Sequence, residues 1–146
     1  MDTISVKILR SGAKLPTYGT DHSAGADLYA CLDAPVTIAP GQTVLIPTGL
    51  AMALPAGYAG LVYARSGISV KRGLAPANKV GVIDSDYRGE CTVALYNQSG
   101  TPQTVEPGER IAQLVVTPCL CPAFQACDDL DTTHRGTGGF GSTGTK

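Results

Sequence analysis

Gly81-Val82-Ile83-Asp84-Ser85-Asp86-Tyr87-Arg88-Gly89-Glu90 is the stretch on which the fold turns. An apolar run, Val80 to Ile83, enters a polar turn with two carboxylates and closes on Gly89. The chain resumes as Cys91-Thr92-Val93-Ala94-Leu95-Tyr96. β-Branched residues on both arms, with Asp and Gly between them, predict a β-hairpin. The mouth of such a hairpin is rigid at its base and presents backbone N–H and C=O groups that no partner strand uses. Asp84 ends the first arm, where a fixed backbone can aim a carboxylate into a pocket.

Outward from this stretch the same pattern repeats. Pro40-Gly41, Pro55-Ala56-Gly57, Ser99-Gly100-Thr101-Pro102 and Pro107-Gly108 punctuate short runs rich in Val, Ile, Leu and Thr. Turn signals at such intervals predict many short strands, as in a sandwich or barrel. Thr3 to Leu9 sets Ile4, Val6 and Ile8 against polar neighbours, the alternation of a half-buried strand. Ser11 to Ser23 reads as a polar loop. Ala24 to Ala30 is built of small residues around Asp27, which opens a short strand. Val36–Ile38 and Thr43–Pro47 read as a second hairpin, and Gly49–Leu54 and Tyr58–Ala64 as a third. Gln103–Val105 and Ile111–Thr117 read as strands around Pro107-Gly108. A short helix is expected to extend over Ser69 to Arg72 from Arg65-Ser66-Gly67, with Lys71 and Arg72 as solvated charges.

Composition narrows the function classes. The 146 residues fit one domain, with 43% hydrophobic and only 16% charged residues, so a packed core is expected. A formal net charge of −1 leaves no electrostatic footprint for nucleic acid or an anionic membrane. No apolar run approaches the roughly 18 residues of a membrane span, and the N-terminus has no signal pattern. Five Cys without a secretory signal read as reduced thiols in the cytosol. Cys119 and Cys121 lack the C-x-x-C spacing of a metal site. There is no phosphate loop ending in Lys-Ser/Thr, no dinucleotide fingerprint and no Ser nucleophile elbow.

Three groups of residues remain as candidates for chemistry. Arg65-Ser66-Gly67 at a helix start suits a phosphate, or is an ordinary exposed turn. Gln113 sits among apolar residues and needs a partner if buried, whether ligand or neighbouring backbone. From Asp128 the composition shifts. Residues 135–144 hold one Arg, one Phe, three hydroxyls and five Gly. Such a segment cannot bury enough apolar surface to order itself. Its glycines nevertheless let successive N–H groups converge on an anion. Residues 1–131 are therefore expected to form the β-domain and 132–146 a flexible arm.

Taken in order, five stretches resemble one family: Ala24 to Ala30, Ala64-Arg65-Ser66-Gly67, Gly81 to Gly89, Gly108 to Gln113, and Arg135 to Gly144. Together they are similar to the trimeric dUTP diphosphatase (dUTPase) family, from about residue 4 to the last Gly. Each stretch alone is weak; five in order are specific. Thr137 stands where many members have Ser, and Lys79 is not a residue the pattern requires. The resemblance implies an all-β fold, a jelly-roll-like β-barrel of the β-clip type with one short helix and a Gly-rich C-terminal arm. It also implies a homotrimer with three shared active sites. One subunit would give the Asp84 turn, a second Arg65, Ser66, Gly67 and Gln113, and the third the arm.

The activity so implied is hydrolysis of dUTP to dUMP and diphosphate by water attack at the α-phosphorus. It keeps uracil out of DNA and supplies dUMP for thymidylate synthesis, in the cytoplasm, or the nucleus of a eukaryote. By the same resemblance Asp84 is the general base and Asp86, two residues on, the less favoured one. Uracil would be read by backbone near Gly81, Val82 and Ile83, with Asn78 beside them. Tyr87 would lie under the deoxyribose; Thr92, past the turn, would add a contact to the phosphates. Arg65, Ser66, Gly67, Gln113 and Arg135 would hold the phosphates, and Phe140, with Gly141 and Ser142, would cover the base. Mg2+ is the implied counter-ion. Asp27 would hold one of its waters or pair with Arg65. Two rival readings stay open: a dCTP deaminase-related enzyme, which needs a general-base Glu at the nucleobase, and a non-catalytic nucleotide-binding module.

Overall fold

The Pro-Gly turns and β-branched runs form twelve short strands and one helix among the described residues, 3–140, of a computed structural model. In chain order these are β1 (Ser5–Ile8), β2 (Thr17–Tyr18), β3 (Ala26–Tyr29), β4 (Val36–Ile38), β5 (Thr43–Pro47), β6 (Leu50–Ala53) and β7 (Tyr58–Tyr63). Then follow α1 (Ser66–Arg72), β8 (Leu74–Pro76), β9 (Gly81–Ile83), β10 (Thr92–Asn97), β11 (Gln103–Val105) and β12 (Arg110–Pro118). All described pairings are antiparallel. The sheets run β2-β3-β12-β7-β9, β5-β10-β8, β1-β6 and β4-β11. They enclose one core, in the barrel-like all-β arrangement expected. Leu28, Ile38, Ile46, Leu74, Leu95 and Ile111 are wholly buried in it. Burying each such side chain stabilises the fold by about 1.5–3 kcal/mol.

Ten of the twelve strands fall where the sequence reading puts them, β2 and β8 being the exceptions, but the pairings do not follow it. β9 pairs with β7, whereas β10 pairs with β5 and β8 in another sheet. The two arms around Asp84 are thus not a hydrogen-bonded hairpin. The second and third expected hairpins fail in the same way. β4 pairs with β11 and β5 with β10, while β6 pairs with β1 and β7 with β12 and β9. Of the successive described strands only β2 and β3 are partners. The turn amides show why. Gly41 N–H donates to Asn97 C=O at 2.8 Å, Thr48 N–H to Cys91 C=O at 3.2 Å, and Gly49 N–H to the Glu90 carboxylate at 2.8 Å. Each turn bonds a distant segment and carries the chain into a different sheet.

Smaller departures have local causes. β2 and β8 lie in stretches without strand patterning, one only two residues long, the other ending in Pro76. Ile8 is exposed although Val6 of the same strand is half-buried. The helix starts at Ser66 and stops at Gly73, whose φ of 68° lets its N–H reach Ile68 and Ser69 C=O. Arg72 is not a free charge. Its guanidinium bonds Gln103, the Glu109 carboxylate and Thr104 C=O, and so ties α1 to β11. Asn97 is wholly buried and fully paired. Its amide donates to Ile38 and Thr101 C=O, and its oxygen accepts from Ser99 N–H and Oγ. After β12 the chain's last described backbone bond to the barrel is Cys119 N–H to Gly57 C=O at 2.8 Å. Residues 119–140 then run without strand or helix, exposed but for the half-buried Gly138 and Gly139. No helix among the described residues is long and apolar enough to cross a membrane.

Candidate active site

Because β9 and β10 diverge into different sheets, a cleft of about 300 Å³ opens between them. β9 is the edge of its sheet, so one side of its backbone has no strand partner. Gly81, Val82 and Ile83 line this cleft with Asn78 from the preceding turn, and Thr92 from the facing strand closes it. Asn78 is held by a tight turn in which Val80 N–H donates to Asn78 C=O at 2.7 Å and Lys79 takes a φ of 66°. Asp84 and Tyr87 complete the lining, and Asp84 is exposed to solvent. Five residues expected at the base and sugar thus share one cleft with Asp84, the expected base, and with Thr92, expected among the phosphate contacts.

The Asp84 turn is held by its own residues. Tyr87 N–H donates to Asp84 C=O at 3.2 Å, and Arg88 reaches back to Ser85 and Tyr87 C=O at 2.7 and 2.9 Å. The Tyr87 hydroxyl donates to Glu90 C=O at 3.1 Å, which lays the ring over Gly89. A Cβ at Gly89 would overlap that ring, so a larger residue there would displace the Tyr87 phenol. Sequence reasoning gave Glu90 no role. Its carboxylate accepts from Arg10 Nε and Nη2, each at 3.0 Å, and from Gly49 N–H at 2.8 Å. The Arg10 guanidinium, opposed by partial burial and helped by the Gly49 amide, holds the Glu90 carboxyl below its ordinary range. This anchor is therefore present above the ordinary carboxylate range and is lost only as pH falls through the lowered value. Cys91 behind it is pushed up to about 11 by burial and stays a neutral thiol at pH 7.

A second cleft, of about 350 Å³, gathers the polar residues of β3, β12 and the start of α1. Asp27 is nearly buried. Its Oδ1 accepts from Arg65 Nε at 2.6 Å and its Oδ2 from Arg110 Nη1 at 3.1 Å. Two cations face one carboxylate, which leaves local positive charge for an anion. Of the two roles expected of Asp27 the geometry shows the ion pair, with Arg110 as an unforeseen second partner. Arg110 lies three residues before Gln113 in a stretch read only for Gln113. Gln113 sits opposite Asp27 on one side and Tyr63 on the other, and its Nε2 donates to Ala64 C=O at 2.8 Å. Ser66 and Gly67 are exposed. The first helical bond is Ser69 N–H to Arg65 C=O, so their amides have no partner within the helix. A Cβ at Gly25 would come within 2.5 Å of Gln113 Oε1. Gly25→Ala is therefore expected to displace Gln113 and to destabilise the protein by about 1–3 kcal/mol, read from thermal unfolding.

Among the described residues none lines both clefts. Arg135 donates to Gly138 C=O at 2.8 Å and Phe140 is fully exposed; neither lines either cleft. Gly141 and Ser142 lie outside the described residues. Among the described residues no cluster of three His, Cys, Asp or Glu is arranged to hold a metal ion.

Fold and site together describe an all-β protein with one cleft edged by free strand backbone and another lined by guanidinium groups. A model of the dUTPase family matches residues 11–144. The deoxyuridine 5'-triphosphate nucleotidohydrolase of Desulfitobacterium hafniense is 55% identical over 149 residues, covering 99% of this chain and 99% of that one. The solved dUTPase of Staphylococcus bacteriophage 80alpha, with dUPNHPP, has a TM-score of 0.86 at 28% identity. That match covers 99% of this chain and 100% of the phage chain. A mutant dUTPase from phage phi11 of S. aureus, whose structure shows a structural Mg(II) ion, has a TM-score of 0.77 at 25% identity over 88% of this chain and 98% of that one. The chain belongs to the dUTPase family.

Proposed function

We propose that the protein hydrolyses dUTP to dUMP and diphosphate, with Asp84 orienting and deprotonating the water that attacks the α-phosphorus. The observation that carries this reading is the convergence of Asn78, Gly81, Val82, Ile83, Asp84, Tyr87 and Thr92 on one cleft beside an unpaired strand edge. Backbone donors and acceptors of β9 pair with the uracil edge. Cytosine presents a donor where uracil presents an acceptor, a buried mismatch worth roughly 10⁴–10⁵ in rate. Tyr87, fixed over Gly89, lies under the deoxyribose and leaves no room for a 2′-hydroxyl. Asp86 is exposed in the same turn and is the less favoured base.

The triphosphate meets the second cleft, where Arg65, Ser66 and Gln113 supply donors and the exposed Gly67 amide, which does not line it, stands next to Ser66. Asp27 holds the Arg65 guanidinium in place there. One chain keeps the two clefts apart, and the described part of its arm reaches neither. A homotrimer that sets one subunit's Asp84 turn against another's Arg65 cleft completes the site. An apolar groove of about 490 Å³, lined by residues such as Ile4, Val6, Met52 and Leu114, is surface that assembly would cover. The arm, 132–146, then brings Arg135 to the phosphates and Phe140, Gly141 and Ser142 over the base, beyond a barrel of 1–131. Among the described residues no cluster of carboxylates is arranged to hold Mg2+. Both Asp27 oxygens are engaged by guanidinium groups, so an ion fits only as one carried on the triphosphate with its waters retained. We place the reaction in the cytoplasm, or in the nucleus of a eukaryote.

Glu90 separates this reading from a dCTP deaminase. It is the one Glu lining the nucleoside cleft, and both its oxygens are taken by Arg10 and the Gly49 amide, so it is not free to act as a base. The test is to incubate the protein with dUTP and with dCTP, with and without EDTA, while assaying diphosphate and ammonia. Diphosphate from dUTP, lowered by EDTA, and no ammonia from dCTP are expected. Ammonia release would favour the deaminase, and binding without either product a non-catalytic module.

A further inference from the structure

The Arg10–Glu90 pair has no part in the roles given above, yet it stands directly behind the residue that meets the sugar. We propose that Arg10 and Glu90 are positioning residues that set the Tyr87 ring and thereby the preference for deoxyribose over ribose. The inference rests on the proposed dUTP hydrolysis and adds to it the device that holds the sugar discriminator.

The geometry is a relay across three segments far apart in sequence. Glu90 is gripped from two sides: Arg10, just past β1, closes a two-bond fork on its carboxylate, and the Gly49 amide adds a third bond. A paired fork of this kind fixes orientation as well as distance. Gly49 takes a φ of 72°, and a Cβ there would come within 2.7 Å of the Ala13 Cβ and 3.3 Å of the Arg10 Cβ, so the two segments are pressed together. Glu90 fixed at its side chain has its backbone carbonyl fixed as well. That carbonyl accepts the Tyr87 hydroxyl, and Tyr87 N–H closes the turn on Asp84 C=O. The Tyr87 phenol is half-exposed and has no other hydrogen-bond partner among the described residues, so this carbonyl holds its tip against Gly89. A ring that excludes one hydroxyl must be placed to well under an ångström, and such precision needs a supporting shell.

A purely structural staple would predict something different. Arg10 is more than half exposed, and exposed ion pairs contribute little to folding stability. Removing it should spare the fold and loosen the sugar site. The experiment compares Arg10→Ala, Arg10→Lys and Glu90→Gln in the full chain, measuring kcat/KM for dUTP and for UTP, the oligomeric mass and Tm. Glu90→Gln keeps an acceptor for the Gly49 amide but sets an NH2 group against Arg10, breaking the fork. The dUTP/UTP selectivity is expected to fall about tenfold to hundredfold in Arg10→Ala and Glu90→Gln, with mass and Tm near those of the parent. Arg10→Lys, which restores the charge but not the fork, should recover part of it. Should Glu90→Gln not fold, Arg10→Ala decides by itself. Parent selectivity in Arg10→Ala, or a rate lost equally for both nucleotides with lowered Tm, overturns the inference. Asp84→Asn run in parallel keeps the two levels apart: full turnover there defeats the proposed hydrolysis itself.

Discussion

Asp84→Asn is expected to bind dUTP nearly as the parent does and to lose about 10²- to 10⁴-fold in turnover, the usual contribution of a positioned general base. Asn has nearly the shape of Asp, but its amide cannot take a proton from water. The substitution should leave the turn intact, because the Asp84 side chain has no hydrogen-bond partner among the described residues. The turn is closed instead by the Asp84 carbonyl, the Tyr87 hydroxyl and Arg88. Single-turnover hydrolysis, with binding of a non-hydrolysable analogue measured separately, distinguishes chemistry from affinity. Hydrolysis at the parent rate would move the base to Asp86 or remove it from this turn. Phosphoryl transfer otherwise depends on positioning and charge stabilisation, so a residual rate from the Arg65 cleft is expected.

Ending the chain after Thr133 should leave the barrel folded and reduce turnover roughly 10- to 100-fold. The barrel's sheets end with β12 at Pro118, and the last described backbone bond to them is at Cys119, well before the cut. Stacking of an aromatic side chain on a base is worth roughly 1–3 kcal/mol, which the truncated form forgoes together with Arg135. Closure over a nucleotide also excludes water and completes a site. Circular dichroism and light scattering check that fold and assembly survive, and steady-state kinetics measures the loss. A truncated protein as active as the full chain would show that the arm has no part in the reaction.

Much of the candidate site was legible in the sequence because its residues come in short contiguous stretches. Gly81 to Tyr87 is one strand and its turn, so its members lie together whatever the strand pairs with. Arg65 and Ser66 likewise lead into α1 together. What escaped notice acts across the fold. Arg110 meets Asp27 through pairing of β12 with β3, and Arg10 meets Glu90 eighty residues on. Neither Arg stands out from its neighbours, since one charged residue at a strand end looks like any other until its partner is known. Arg72 reads as solvated for the same reason, yet it joins the helix to β11 and Glu109.

By itself the sequence determined where most strands and turns lie, β2 and β8 excepted, because backbone preference and side-chain alternation are local properties. Val36–Ile38, Thr43–Pro47 and Gln103–Val105 needed no adjustment. Only the tertiary structure decided which strand meets which. An edge strand can hydrogen-bond almost any other strand with equal backbone chemistry. The choice follows from how all the apolar faces close on one core, and no single segment carries that information. The consequence for function is direct. Had β9 and β10 paired as the hairpin their sequences suggest, the backbone edge and the space beside Asp84 would have been filled by hydrogen bonds, with no cleft left for a nucleotide.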